Sequence, residues 1–317
     1  MDVVLLFPGQ GSQKPGMAKD LVDAFPGAKN VFDRADAALG TSLSKLCFDG
    51  PAEELTLTHN AQPALLAHGA AVWAATRDVV GAQVVATAGH SLGEFTGYHA
   101  AESLSLEDAV RVVRRRGELM YESGVKRPGT MAAILGNTSR PIEEICAEAS
   151  REAGLVVPAN YNSPSQLVLS GEEAGVERAM ALCKDAGAKR AIRLNVSGAF
   201  HSPLMESAAD GLREVLDRAA FGNPHFPVYA NVNGEAVIDG SRAKQLLLEQ
   251  LSKPVRWTDE IQAMAARFPN ALYVEMGPGN VLTGLVKKIA PSLQTMTCGT
   301  AAEVAQLRQL AGAVEVA

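Results

Sequence analysis

The chain has 317 residues, of which 47% are hydrophobic and 20% charged, with a formal net charge of −6. This length suits a large domain with a smaller one, this composition excludes a disordered chain, and this charge argues against a nucleic-acid binder, leaving only a local basic patch open. The four cysteines, Cys47, Cys146, Cys183 and Cys298, are far apart without a C-x-x-C pair, so they read as reduced core thiols rather than a zinc site or a disulfide frame.

Met1-Asp2-Val3-Val4 lacks a basic n-region, its apolar run is too short for a signal peptide, and no run approaches a membrane span. A soluble cytoplasmic protein without a membrane or metal partner is therefore expected. Val3–Phe7 is a continuous apolar run and predicts a central strand. It ends in Pro8-Gly9-Gln10-Gly11-Ser12-Gln13, either a simple turn or a loop offering a backbone N–H to an oxyanion; without Gly-Lys-Ser/Thr it is not a phosphate loop. Pro51-Ala52-Glu53-Glu54 predicts a helix start, and Gln62-Pro63 opens another helix running towards Arg77.

Gln83–Thr87 predicts a buried strand and Glu94–Ala101 a helix. Between them lies Gly89-His90-Ser91-Leu92-Gly93, the chain's one Gly-x-Ser-x-Gly. That pattern between strand and helix is a nucleophile elbow: Ser91 sits on a strained turn, and Leu92 carries the first backbone N–H of the following helix. Ser105-Leu106-Glu107-Asp108 predicts a cap for a helix whose Leu106, Ala109, Val113, Gly117 and Met120 share one face. Arg111, Arg114 and Arg115 fall on the opposite, solvated face. Arg116 falls on the apolar one, where a guanidinium needs an anion: either a core carboxylate or a ligand carboxylate held bidentately.

Residues 126–196 predict a module of order β-α-β-β-α-β: strands at Thr130–Leu135, Val156–Tyr161, Gln166–Ser170 and Arg190–Leu194, helices from Pro141 and over Ala174–Ala186, and an Asn-Ser-Pro turn between the middle strands. That is a ferredoxin-like order. It interrupts a longer α/β chain, so residues 1–125 and 197–317 are expected to form the main core, with a ligand cleft between core and insert. Ser202-Pro203 predicts a helix start and puts His201 on a loop at the re-entry, as a general base or as an ordinary capping histidine. Beyond it, Phe226–Val232 predicts a strand closed by Asn233-Gly234, Ala243–Leu251 a helix stopped by Pro254, and Trp257 the start of another. Ala271–Met276 and Leu293–Thr297 predict strands, Val281–Ile289 and Ala301–Ala311 helices, and Val314–Ala317 a frayed end.

In this order the chain carries Phe7-Pro8-Gly9-Gln10-Gly11-Ser12-Gln13, Gly89-His90-Ser91-Leu92-Gly93-Glu94, Arg116-Gly117, Gly198-Ala199-Phe200-His201, Gln250 with Pro254-Val255-Arg256-Trp257, and Glu275-Met276-Gly277-Pro278-Gly279. The set closely resembles the malonyl-CoA:acyl-carrier-protein transacylases of type II fatty-acid synthesis, over essentially the whole chain. The resemblance implies an α/β-hydrolase-like core with a parallel sheet and an inserted ferredoxin-like subdomain. It implies Ser91 as the acylated nucleophile, His201 as general base, and Arg116 as the grip on the malonyl carboxylate. Gln10 and Leu92 then give the oxyanion-hole N–H groups, and the backbone carbonyl of Gln250 orients the histidine. Gln62, Asn160 and Asn162 match positions near the pocket or the CoA entrance.

Phe200, in Gly-Ala-Phe-His, is similar to a His-Ala-Phe-His signature of malonyl rather than methylmalonyl transfer, from which Gly198 departs; Leu92 agrees with malonyl. No cofactor is implied beyond the CoA thioester and the phosphopantetheine of the carrier. Malonyl-CoA and acyl carrier protein are the implied partners of a monomer. Rival expectations are a serine esterase, a transferase loading a polyketide or malonate-decarboxylase carrier, and a non-catalytic carrier-binding protein. The carrier is acidic, so Lys184, Lys189, Arg190 and Arg193 are candidates for docking it, or else form a solvated face.

Overall fold

The computed structural model describes residues 1–315, so Val316 and Ala317 of the expected frayed end lie outside the described residues. Two sheets organise it. The strands in chain order are β1 (Val3–Phe7), β2 (Val84–Gly89), β3 (Thr130–Leu135), β4 (Val156–Ser163), β5 (Gln166–Gly171), β6 (Arg190–Arg193), β7 (Val228–Tyr229), β8 (Ala236–Val237), β9 (Leu272–Met276) and β10 (Gln294–Cys298). The larger sheet has the order β10-β9-β1-β2-β7-β8 and is parallel but for β8.

As its unbroken apolar run implies, β1 is central and buried on both faces. Val3, Leu5 and Phe7 pack into one cluster with Leu66 and Ala70 of the Thr58–Val80 helix. Val4 and Leu6 pack on the other side with Trp257, Ile261 and Leu285. A parallel sheet needs this double cover, because its crossover helices lie on both faces.

The smaller sheet, β4-β5-β3-β6, is antiparallel, with the helices Ile142–Ala153 and Glu173–Asp185 on one face. Its edge is tied to the main body through the main chain: Tyr161 N–H donates to Val255 O at 2.9 Å, and Val255 N–H to Ala159 O at 2.8 Å. The turn between β4 and β5 is Pro164-Ser165, and Asn162 and Ser163 still belong to the strand.

Several elements differ from expectation. The helix expected to open at Gln62-Pro63 begins at Thr58, with Pro63 inside it. Proline cannot donate to the carbonyl four residues back; that carbonyl, on His59, accepts instead from Arg114 Nη1 at 3.2 Å. Arg114 is therefore half-buried and structural rather than merely solvated, and it also donates to Asn60 Oδ1. The strand expected over Phe226–Val232 is reduced to Val228–Tyr229, because Asn231 turns inward to bond beneath the elbow. A short β8 follows that was not foreseen, and the helix expected from Ala243 starts at Gly240, where Asp239 caps Arg242 N–H. Ser105 caps Asp108 N–H as expected. All four cysteines are free and buried. Among the described residues no helix is long and apolar enough to cross a membrane.

Candidate active site

The elbow forms because β2 must turn sharply into the Leu92–Ala100 helix while touching β1. A Cβ on Gly89 would collide with the Gly93 main chain, and one on Gly93 with the carbonyl of Phe7, so only glycine fits either place. Ser91 between them sits at φ 53°, a strained value for a residue with a side chain. Its N–H is fastened to Asn231 Oδ1 at 2.7 Å.

His201 meets it from the re-entry loop, also with a left-handed φ of 56°. Ser91 Oγ lies 2.8 Å from His201 Nε2, and His201 Nδ1 lies 2.8 Å from the backbone oxygen of Gln250. A carbonyl oxygen can only accept, so Nδ1 carries the proton and Nε2 is left as a base facing the hydroxyl. Burial, and then the nearby Arg116 guanidinium, push this ring's pKa down to about 3. It is a neutral imidazole at ordinary pH.

Arg116, buried on the Leu106–Lys126 helix, reaches the same serine. Its Nη2 donates to Ser91 Oγ at 3.0 Å and to Gln250 Oε1 at 2.9 Å; its Nη1 donates to Gln62 Oε1 at 2.7 Å. Its acceptors are thus two amides and a hydroxyl, not the core carboxylate that was one alternative. Nε has no partner. Burial pulls its pKa down to about 10, which still leaves it charged. A cation held by neutral dipoles, with N–H capacity to spare, can take a carboxylate from a ligand.

These groups open into a cavity of about 250 Å³ between the elbow and the smaller sheet. Of the ten residues singled out from the sequence, Gln10, Gln62, Ser91, Leu92, Arg116, Asn160, Asn162, Phe200 and His201 line it. Gln250 does not, and acts on it through its backbone oxygen and Oε1. Leu92 is the first residue of its helix, so its N–H has no intrahelical acceptor. Gln10 sits on the loop after β1, with its side-chain amide donating to Thr58 Oγ1 at 3.2 Å. Asn162 joins the smaller sheet to the elbow by a 2.8 Å bond between its Oδ1 and His90 Nε2.

Sequence reasoning missed Glu94, Asn231 and Glu260, all buried under the elbow. Glu94 stands inside the quoted Gly-His-Ser-Leu-Gly-Glu motif, and a carboxylate in the first turn of a buried helix was the available signal; Asn231 and Glu260 offered none. Burial raises Glu94 to about 7, and raises Glu260 well above the usual carboxylate range with help from Glu94. Among the described residues no group of three metal-ligating side chains occurs.

The acyl transferase domain family matches residues 4–310. The malonyl CoA-acyl carrier protein transacylase of Bacillus subtilis is 47% identical over 294 residues, covering 93% of this chain and 92% of its own length. The enzyme of that name from Escherichia coli K12 is 43% identical over 91% of this chain and 93% of its own. Among solved structures, an acyl-carrier-protein S-malonyltransferase from Bartonella henselae superposes with a TM-score of 0.93 at 40% identity, covering 98% of this chain and 100% of that one. A malonyl-transacylase in complex with a type II PKS acyl-carrier protein superposes at 0.90 and 38% identity, over 98% and 100% of the two chains.

Proposed function

The chain belongs to the acyl transferase family, among the malonyl CoA-acyl carrier protein transacylases, and on that premise we propose that it moves a malonyl group from CoA to the phosphopantetheine thiol of acyl carrier protein through a malonyl-Ser91 intermediate. The observation that carries this is the position of Ser91 Oγ, 2.8 Å from a neutral imidazole nitrogen and 3.0 Å from a buried guanidinium.

In the first half-reaction His201 Nε2 takes the hydroxyl proton as Ser91 Oγ bonds to the thioester carbonyl carbon. The backbone N–H groups of Leu92 and Gln10 receive the oxyanion; one such donor is worth about 3 kcal/mol in comparable sites. The intermediate collapses, the C–S bond breaks, and the imidazolium returns its proton to the CoA sulfur. In the second half-reaction the carrier thiol gives its proton to His201, its sulfur bonds to the same carbon, and Ser91 leaves with the proton restored.

Arg116 holds the malonyl carboxylate, whose oxygen replaces Ser91 Oγ as the acceptor of Nη2. Phe200, Gln62, Asn160 and Asn162 shape the pocket. The core is residues 1–125 and 197–317 and the insert residues 126–196; the enzyme acts as a cytoplasmic monomer without a cofactor. Lys184, Lys189 and Arg190 are exposed on the insert and suit an acidic carrier. Arg193 is already engaged by Glu173 and Glu177 and contributes less.

Intact mass after brief mixing with malonyl-CoA tests the proposal. A malonyl adduct is expected on the parent, absent from Ser91→Ala and weak in Arg116→Ala. CoA release without an adduct or transfer would indicate a hydrolase instead. A polyketide carrier is a second reading, favoured by the likeness to the transacylase held by a type II PKS carrier; competing fatty-acid and polyketide carriers for the malonyl-enzyme separates the two.

A further inference from the structure

Beneath the elbow lies a polar cluster whose side chains line no part of the cavity. Its members Glu94, Asn231, Gln250 and Glu260 are completely buried. Gln250 is the hub. Its Nε2 donates to Glu94 Oε2 at 2.7 Å and lies 3.1 Å from Ser91 O and 3.2 Å from Asn231 Oδ1. Asn231 is fixed in turn, because its Oδ1 accepts the Ser91 N–H while its Nδ2 donates to Gly89 O at 2.8 Å and to Glu260. The Asn231 N–H donates to Glu94 Oε2 at 3.1 Å. Three acceptors therefore surround one end of the Gln250 amide, which decides which end is nitrogen. The other end, Oε1, must face Arg116.

We propose that Glu94 is a positioning residue for substrate selection: by accepting the Gln250 amide it turns Gln250 Oε1 onto Arg116 and so holds the guanidinium in the orientation that receives a substrate carboxylate. This rests on the malonyl reading above. Glu94 does not line the cavity, so it acts through the two groups that donate to it, the Gln250 amide and the Asn231 N–H. Without it the Gln250 amide loses its shortest acceptor and keeps only the longer contacts to Ser91 O and Asn231 Oδ1, so Oε1 is held less firmly against the N–H donors of Arg116. Oε1 of Glu94 has no partner, so Oε2 remains an acceptor whether the carboxyl is ionised or protonated. Glutamine presents the same acceptor with the same length of side chain.

The test compares malonyl-CoA with acetyl-CoA, which has no carboxylate, as donors to Ser91 in the full-length enzyme, reading kcat/KM for acylation and the melting temperature. Glu94→Leu is expected to reduce the malonyl-over-acetyl preference by about tenfold or more, the scale of one hydrogen bond to a charged group. Glu94→Gln is expected to stay within about threefold of the parent preference. Added to Arg116→Ala, Glu94→Leu is expected to leave the remaining preference unchanged, since its route is through that arginine. Should Glu94→Leu not fold, Glu94→Asp carries the same comparison, its shortened carboxyl withdrawn from Gln250. An equal fall on both donors, with the preference intact, would overturn the inference while leaving the transacylase reading standing. A parent that acylates with neither preference nor adduct for malonyl would overturn that reading and this one together.

Discussion

His201 is oriented by the main chain of Gln250: ring Nδ1 donates to its carbonyl oxygen at 2.8 Å. A carboxylate in that place would stabilise the imidazolium; a neutral carbonyl does so far less. In the proposed reaction the bond attacked is a thioester, for which a weaker base suffices. The charged and titratable groups facing the ring are Arg116 and His90, and both push its pKa down, adding to burial. A base with a lowered pKa stays competent until pH falls through the lowered value, here about 3. The kcat/KM for acylation is therefore expected to show no histidine limb between about pH 5 and pH 8. A limb of unit slope near 6.5, seen in both the parent and Glu94→Gln, would contradict the geometry.

The amide of Gln62 is the neutral acceptor of Arg116 Nη1. Gln62→Glu would supply the ion pair that the fold leaves unmade. The side chain keeps its length, so folding is expected to survive, with a melting temperature within a few degrees of the parent. An internal carboxylate then competes with the substrate's. Malonyl-CoA acylation is expected to fall by about tenfold or more, and acetyl-CoA acylation by less. Steady-state rates with the two donors check this.

Gly93 and Gly284 make a matched pair. At Gly93 a methyl group would strike the Phe7 carbonyl, part of the rigid sheet, whereas at Gly284, inside the Val281–Ile289 helix, nothing lies within 4 Å. Gly93→Ala is expected to destabilise the protein by more than about 3 kcal/mol or to prevent folding. Gly284→Ala is expected to stabilise it by about 0.5–1 kcal/mol. Denaturant melts of both decide; a tolerated Gly93→Ala would mean that the elbow is looser than its contacts require.

Glu94 links stability to pH. Its folded pKa, raised by burial to about 7, exceeds the ordinary 4.5. Between those values the folded state binds more protons than the unfolded one, so its contribution is full below about pH 4.5 and is lost as pH rises towards 7. Glu94→Gln does not titrate. Relative to the parent, the variant is expected to gain on the order of 1–3 kcal/mol between pH 4.5 and 7. Parallel stability curves would show that the carboxyl is not buried as described.

Much of the site was legible because each part is local in the chain. The elbow follows from two glycines and a serine between a strand and a helix. Arg116 betrayed itself by lying seven residues from Ala109 on an apolar face, and His201 by its place at a re-entry. The strands and helices of the smaller sheet emerged within a few residues, since periodicity and turns are short-range signals. Failures occurred where distant partners overrode local preference. Pro63 sits within a helix because Arg114, on another helix, takes over the carbonyl that proline frees. The strand at Val228 stops early because Asn231 bonds better under the elbow than in a ladder.

By itself the sequence determined the kinds of element, their order, and the chemical groups available: a serine on a strained turn, a histidine on a loop, an arginine on a buried face. Local sterics and hydrophobic period decide these, and both act over a few residues. Only the tertiary structure decided that Arg116 meets amides rather than a carboxylate, and that Gln250 serves it and His201 at once. The same is true of the two carboxyl groups, Glu94 and Glu260, buried beneath Ser91. Those are relations among segments 49 to 134 residues apart. Hydrogen-bond direction and desolvation act only after such segments have been packed together.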